Sequence, residues 1–345
     1  MPAEWERHAA TWIAWPRARD DWPGRFAAIP FAFAEIVRCL SAHETVRIVV
    51  GGNAAEAAAR ERLTTDGISL ERVQFFRWPT DRSWVRDSGP TFVRRPRRGE
   101  LPAERAAVSW HFNGWAKYEN WHRDDRLGGR IARALQLPVW RPRRAGARVV
   151  LEGGAIDVNG AGLLLATEEC LLGEVQARNP GLSRLDVEQL LADYLGADRV
   201  LWLAAGLVGD DTHGHIDDVA RFVGERTIVI ARPPDRPDPN HAPLAENRAR
   251  LDRAVGPDGR PFEVVELPMP TARTYSGQPV PASYLNFYIA NDTVLVPTFN
   301  DPADREALGT LARLFPDRSV VGLFSGDLIW GLGSVHCLTQ QEPAE

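Results

Sequence analysis

Cysteine is scarce in this chain, with Cys39, Cys170 and Cys337 the three examples in 345 residues. They lie too far apart for a disulfide framework or a zinc ribbon. Cys39 follows Phe31, Ile36 and Val37 in a helix-like stretch and reads as core. Cys170 ends the strand-like run LLLATEEC and reads as packed. Cys337 differs, standing after a glycine-rich turn and beside His336. Lysine is scarcer still: of 41 basic residues, Lys117 alone is a lysine. The arginines are scattered, and the local clusters at 94–105 and 141–148 read as solvated loops rather than phosphate-binding patches. No apolar run approaches the roughly 20 residues of a membrane helix. Met1 to Pro16 carries acids and tryptophans where a signal peptide would have a basic start and an apolar stretch. A net charge of −5 gives no reason to expect a nucleic-acid partner. The expectation is a soluble, cytoplasmic protein with neither a nucleic-acid nor a membrane partner, and a homodimer is one assembly the chain allows.

What is present is the balance of a globular protein, 44% hydrophobic and 25% charged, long enough for two domains or one large closed fold. Strand-like runs fall at 46–50, 73–78, 106–112, 148–151, 162–167, 198–203, 226–231, 263–267, 284–289, 293–297 and 319–324. Helical stretches fall at 28–42, 53–64, 124–135, 184–195, 243–254 and 303–315. Ser183 with Asp186 reads as a capping box and Gly196 as the stop of that helix. Asp301 and Pro302 read as N-cap and first residue of another.

A unit recurs along the chain without obvious sequence identity. A strand enters a polar or glycine-rich loop, and a second strand leads away. The copies lie at 73–93, 148–167, 199–223, 262–299 and 319–340, with helices between most of them. Five ββαβ-like units around an axis would make an α/β, five-bladed propeller with pseudo-fivefold symmetry, its loops converging at the mouth. A plain α/β sandwich is the alternative. No Pro/Gly/Ser-rich linker interrupts the chain, so residues 1–345 are expected to form a single domain.

Four of the loops carry residues able to do chemistry. DRSWVRDSGP presents Asp87 beside Trp84, ahead of the Gly89-Pro90 turn. LEGG places Glu152 directly after an apolar strand, and a buried carboxylate needs partners. The run from Asp210 to Asp218 is the densest cluster. In an extended strand His213, His215 and Asp217 would share one face. They could then ligate a metal, as in metallo-β-lactamase-like hydrolases, although Asp218 stands where that pattern expects histidine. Alternatively His215 works without metal as a general acid/base, with Asp217 binding a cation or orienting substrate. The tail from Gly331 to Gln341 offers Cys337 as a nucleophile, since a nearby imidazolium or cationic substrate favours its thiolate.

Taken in order, MPAEWERHAATWIAWP (1–16), WVRDSGP (84–90), FNGW (112–115), LEGGAIDVNGAGLLLATEECLL (151–172), DDTHGHIDDVARF (210–222), ASYLNFYIANDTVLVPTFNDP (282–302) and HCLTQQ (336–341) closely resemble the agmatine deiminase and bacterial peptidylarginine deiminase family of the pentein, or guanidino-modifying, superfamily. The resemblance spans nearly the whole chain and implies a five-bladed α/β propeller. It implies Cys337 as nucleophile, His215 as general acid/base, Asp87 and Asp217 as guanidinium ligands, and Glu152 in support of His215. It implies no metal and no cofactor. The substrate would be a small guanidino compound, most simply agmatine, converted to its carbamoyl product with loss of ammonia. Arginine or peptidylarginine is the nearest alternative, and a metal-dependent hydrolase built on the His-x-His-x-Asp segment is the distant one. Agmatine-specific members read Asp-Thr-Asp-Gly-His where this chain has His213 third. They also read Gly-Gly-Gly-Asn before the terminal His-Cys, where this chain has Gly331-Leu332-Gly333-Ser334. These departures bear on substrate choice. Asp211 could neutralise a substrate ammonium or cap its loop, and Trp84 and Trp115 could line a channel for methylenes or belong to the core.

Overall fold

The computed structural model describes residues 1–95, 104–233 and 237–344, so positions 96–103 of the first arginine cluster lie outside the described residues. The chain forms two compact units, one from Met1–Glu4 and Asp87–Glu266, the other from Trp5–Arg86 and Leu267–Ala344.

The first unit holds three sheets of one topology. Thr91–Arg95 pairs antiparallel with Glu104–Val108, and the helix Leu127–Ala134 leads to Val139–Trp140, parallel to the latter. Asp157–Val158 pairs antiparallel with Leu163–Thr167, and the helix Arg184–Leu195 leads to the parallel Arg199–Leu203. Ala220–Phe222 pairs antiparallel with Thr227–Ala231, which Glu263–Leu267 joins after the helix His241–Arg253. In the second unit, Tyr288–Ile289 and Thr293–Thr298 are antiparallel, and Ser319–Phe324 returns parallel after the helix Asp304–Leu314. The last sheet joins the two ends of the described chain. Gln340–Pro343 runs antiparallel to His8–Ala14, which continues into the parallel strands Thr45–Val50 and Val73–Arg77 through the helices Ile29–Ser41 and Asn53–Thr65. An antiparallel pair followed by a helical crossover thus recurs in these sheets, the last pair being made of strands far apart in sequence rather than a hairpin.

Periodicity explains the layers. Ile29–Ser41 buries Ile29, Phe33, Ile36, Val37 and Leu40, a 3.6-residue stripe facing its sheet. Leu163–Thr167 is buried at every position, as a strand covered on both faces should be. Around it Val108, Leu151, Ile156, Leu164, Cys170 and Leu191 form one apolar cluster.

All six expected helices are present, and the Ser183–Asp186 capping box and left-handed Gly196 stop are as expected. The Asp301 cap is not. The helix starts at Asp304, because Asp301 accepts from Ala303 N in a preceding turn while the Asp304 carboxylate takes Phe299 and Asp301 N–H groups. The expected strand at 148–151 shrinks to Ala147–Arg148, since the Asn179 amide satisfies both the N–H and the C=O of Val150. The strand His8–Ala14 was not expected. Described parts of both arginine clusters lie in strands rather than loops, at Arg94 and Arg95 and at Arg143 and Arg144. Cys39 is half-buried rather than core.

The N-terminal residues are tied down electrostatically. Fully buried Arg221 pairs with Asp157 and, at 2.9 Å, with Glu4. Arg221→Met keeps the bulk but strands these carboxylates, so urea unfolding should show a loss of about 3–5 kcal/mol. A loss within error would mean the pairs carry no net stability.

Candidate active site

The candidate residues sit in the short turns that lead into the recurring antiparallel pairs. Asp87 lies in the helical turn Val85–Ser88 ahead of Thr91–Arg95. Glu152 opens the turn Gly153–Ala155 ahead of Asp157–Val158. His215 and Asp217 lie at the turn Ile216–Asp218 ahead of Ala220–Phe222. Cys337 precedes Gln340–Pro343 by a similar interval, and the remaining hairpin is entered at Asn286.

In the first unit the acids and the imidazole converge on one glycine. A Cβ on Gly154 would stand 2.5 Å from His215 Nδ1 and 3.0 Å from both Asp217 Oδ2 and Asp87 Oδ1. Asp87, Glu152, His215 and Asp217 are all buried. Asp87 accepts from Gly154 N at 3.0 Å and from the Trp115 indole N–H at 2.9 Å. His215 Nδ1 is 3.9 Å from Asp87, and its Nε2 is 3.8 Å from Glu152 Oε2. Buried Arg178 donates to the other Glu152 oxygen at 3.0 Å.

These neighbours set the ionisation. Burial opposes a charged Glu152, but Arg178 and then His215 outweigh it and bring its pKa down to about 2. Burial raises Asp87 above the usual carboxylate value; His215 offsets this in part, while Asp217 and Glu152 add to it. Burial also opposes charge on His215, yet Asp87, followed by Cys170 and Glu152, raises it well above an ordinary imidazole. An imidazole held toward its protonated form therefore sits among buried carboxylates.

The His213/His215/Asp217 metal set is not assembled. His213 has φ +63° and Gly214 φ +101°, which breaks the period-two alternation, and the His213 ring faces Glu169 at 3.8 Å. Among the described residues the group with donor atoms within 4.8 Å of one another is Glu152, Cys170 and His215. Arg178 already occupies one Glu152 oxygen there, which disfavours a cation.

Asp211 is not a free anion and does not cap its loop. It pairs with Lys117 and accepts from Tyr118 OH at 2.6 Å. Loop capping falls to Asp210, which takes the N–H groups of Thr212, Gly214 and His215. Trp115 is buried at the site, held by three successive left-handed residues, Gly114, Trp115 and Ala116.

In the second unit, Cys337 Sγ accepts from Asn286 Nδ2 at 3.2 Å. The same side chain's oxygen accepts from His336 N at 3.0 Å, clamping the loop. Buried Arg86 donates to Gln341 at 2.6 Å, and its own N–H binds the Cys337 carbonyl. Trp84 is buried against Trp22, and a Cβ on Gly333 would meet Trp84 at 2.7 Å and Cys337 Cβ at 3.2 Å. Trp84 is thus packed behind the thiol loop, where the glycine is required. Leu332, in the non-glycine departure, is left-handed at φ +65°.

Arg178, Gly154 and Asn286 do not stand out in the sequence. The signals were faint: an arginine in the loop ARNPG, the second glycine of LEGG, and one amide inside the apolar run YLNFYIA.

The model of the Porphyromonas-type peptidyl-arginine deiminase family matches residues 1–343. The agmatine deiminase of Pseudomonas aeruginosa (strain UCBPP-PA14) is 35% identical, over 100% of this chain and 95% of its own. A solved agmatine deiminase of Enterococcus faecalis superposes with TM-score 0.88 at 31% identity, covering 99% of this chain and 95% of its own. A cysteine-to-serine variant of C. jejuni agmatine deiminase, solved with substrate bound, gives TM-score 0.84 at 25% identity, covering 99% of this chain and 95% of its own. The chain belongs to the Porphyromonas-type peptidyl-arginine deiminase family, and its mixed α/β fold is that of the solved agmatine deiminases.

Gly154→Ala should displace His215 and the facing acids by roughly an ångström, costing about 10²-fold in kcat/KM. Its circular dichroism should stay native, because Gly154 does not need a left-handed backbone. An active Gly154→Ala would show that the convergence does not matter. Asn286→Asp puts an anion against Cys337, so alkylation of that thiol near neutral pH should slow by about tenfold. An unchanged rate would remove Asn286 from the site.

Proposed function

We propose that the protein is a cysteine-dependent hydrolytic deiminase that converts agmatine to N-carbamoylputrescine and ammonia in the cytoplasm. Three free cysteines suit a reducing compartment. The observation that carries the reading is the buried convergence of Asp87, Asp217 and His215 on Gly154. A guanidinium is planar with several donors, so carboxylates on its two sides can fix it by charge-assisted hydrogen bonds. In this reading residues 1–345 form one deiminase domain. The recurring units are then the blades of a five-bladed α/β propeller.

The Cys337 thiolate attacks the guanidinium carbon, forming a C–S bond and a tetrahedral adduct. Protonated His215 gives its proton to the departing nitrogen, and ammonia leaves. Neutral His215 then takes a proton from water as the oxygen adds to the thiouronium carbon. Collapse breaks the C–S bond, returns the thiolate and releases a ureido product, the hydroxyl proton passing to solvent, where it converts the ammonia to ammonium. Glu152, anchored by Arg178, orients the imidazole.

A second reading places the nucleophile at Cys170, because its thiol lies within 4.8 Å of His215 and Glu152. Against it, Cys170 is part of the apolar cluster, and its N–H is tied to Thr167 as the helix Glu168–Leu172 begins.

Brief exposure to a haloacetamidine, followed by peptide mapping, separates the two. Cys337 should be labelled fast and protected by agmatine, with Cys39 and Cys170 slow. Preferential labelling of Cys170 would move the nucleophile there. Ammonia release should favour agmatine over arginine, N-acyl-arginine amide and a peptide with internal arginine, and the reverse order would make the substrate arginine or peptidylarginine. Asp87→Asn and Asp217→Asn should each lose two to four decades, for roughly 3–5 kcal/mol of buried charged contact. Asp87 must be ionised, and its pKa is raised, so the acid limb of kcat/KM should lie above the usual carboxylate value of about 4. His215 must start protonated, so the alkaline limb should lie above about 6.5.

A further inference from the structure

The loop that brings Trp115 to Asp87 carries, two residues on, the single lysine of the chain. Trp115 donates its indole N–H to Asp87 at one end. Its ring stands edge-on to Tyr118, with centroids 6.0 Å apart, and Tyr118 OH donates to Asp211 at the other. Gln176, itself left-handed at φ +49°, donates to the carbonyls of both Trp115 and Asp211 and ties the two loops together. Two carboxylates therefore bracket an aromatic pair. A guanidine whose head is held at Asp87 would then present its terminal group toward Asp211, with its methylenes along this aromatic pair. The terminal-group end is not a bare anion, however. Lys117 Nζ pairs with Asp211, and Lys117 is 42% exposed where Asp211 is 16% exposed.

We propose that Lys117 is a specificity-determining residue, one that weakens the site's preference for guanidines ending in an ammonium and admits guanidines ending in a carboxylate. The proposal rests on the deiminase reading, which puts the guanidinium at Asp87. A substrate ammonium arriving at Asp211 must displace an ammonium already there, an exchange of like for like. A substrate carboxylate instead finds a lysine on a long, partly solvated arm that can turn to it. An amino acid bearing both charges could use Asp211 and Lys117 together.

The test compares agmatine with 4-guanidinobutyrate on the wild type, Lys117→Met and Asp211→Asn. Turnover gives kcat/KM, and calorimetry gives affinity for both compounds on the same proteins. Lys117→Met should raise the agmatine-to-guanidinobutyrate ratio by about tenfold or more, and Asp211→Asn should lower it by a similar factor. Asp210, not Asp211, caps the loop, so Asp211→Asn is expected to fold. A ratio that moves less than about twofold in Lys117→Met, or that falls, overturns the proposal while leaving the deiminase standing. If neither compound is turned over, the deiminase reading fails instead, and the calorimetric ratio still decides the role of Lys117.

Discussion

Everything at this site follows from burying an imidazole among carboxylates. Charges taken out of water require partners. Glu152 has Arg178, while Asp157 and Glu4 have Arg221. Asp87 is served by a backbone N–H, an indole N–H and an imidazole 3.9 Å away, so it keeps a raised pKa. Holding it there takes a glycine at 154 and the left-handed run at 114–116. Backbone strain concentrated at such a run is a cost that the surrounding packing must over-determine. Gly114 shows how tightly it does so, since a Cβ there would stand 2.5 Å from the Tyr118 carbonyl.

The repetition of the fold gives that chemistry its address. A turn that enters a hairpin is fixed at its far end by a strand inside a sheet, so a side chain on it is held as rigidly as the sheet. Much of this was legible in sequence because each unit leaves local marks. The apolar stripe of Ile29–Ser41, the Ser183 capping box and the left-handed Gly196 depend only on near neighbours along the chain. Four of the five turns also announced themselves by residue type, through acid, imidazole or thiol. The fifth offers Asn286, whose amide has no acid–base signature, and its role appears only when His336 and Cys337 are seen against it.

What the sequence withheld was pairing. Glu152 and Arg178 are 26 residues apart, Asn286 and Cys337 51, and Lys117 and Asp211 94. A sequence shows that an acid needs a partner, not which cation arrives. It also misled where a local rule was broken by a local exception. His213, His215 and Asp217 alternate only if the backbone is extended, and two left-handed residues in succession end that. Similarly, the apolar run at 148–151 looked like a strand, but the amide of Asn179 took the hydrogen bonds a neighbouring strand would have made.

The same electrostatics bear on how a turnover would end. Burial, Asp217 and Glu152 raise Asp87, and His215 offsets them only in part. On the proposed reading a guanidinium supplies the missing positive charge, and its binding favours the ionised carboxylate. Deimination replaces that cation with a neutral ureido group. Once the ammonia has gone, the carboxylates face a ligand that no longer answers their charge, in a place where water cannot screen them. Product affinity must therefore fall relative to substrate by the charge-assisted part of the interaction, with no moving part needed to expel it. A site that neutralised its acids fully with arginines, as Glu152 is neutralised by Arg178, would bind substrate and product alike. On the proposed reading, an Asp87 served by an indole, a backbone N–H and an imidazole rather than an arginine makes the substrate its own counter-ion, and the reaction itself the release step.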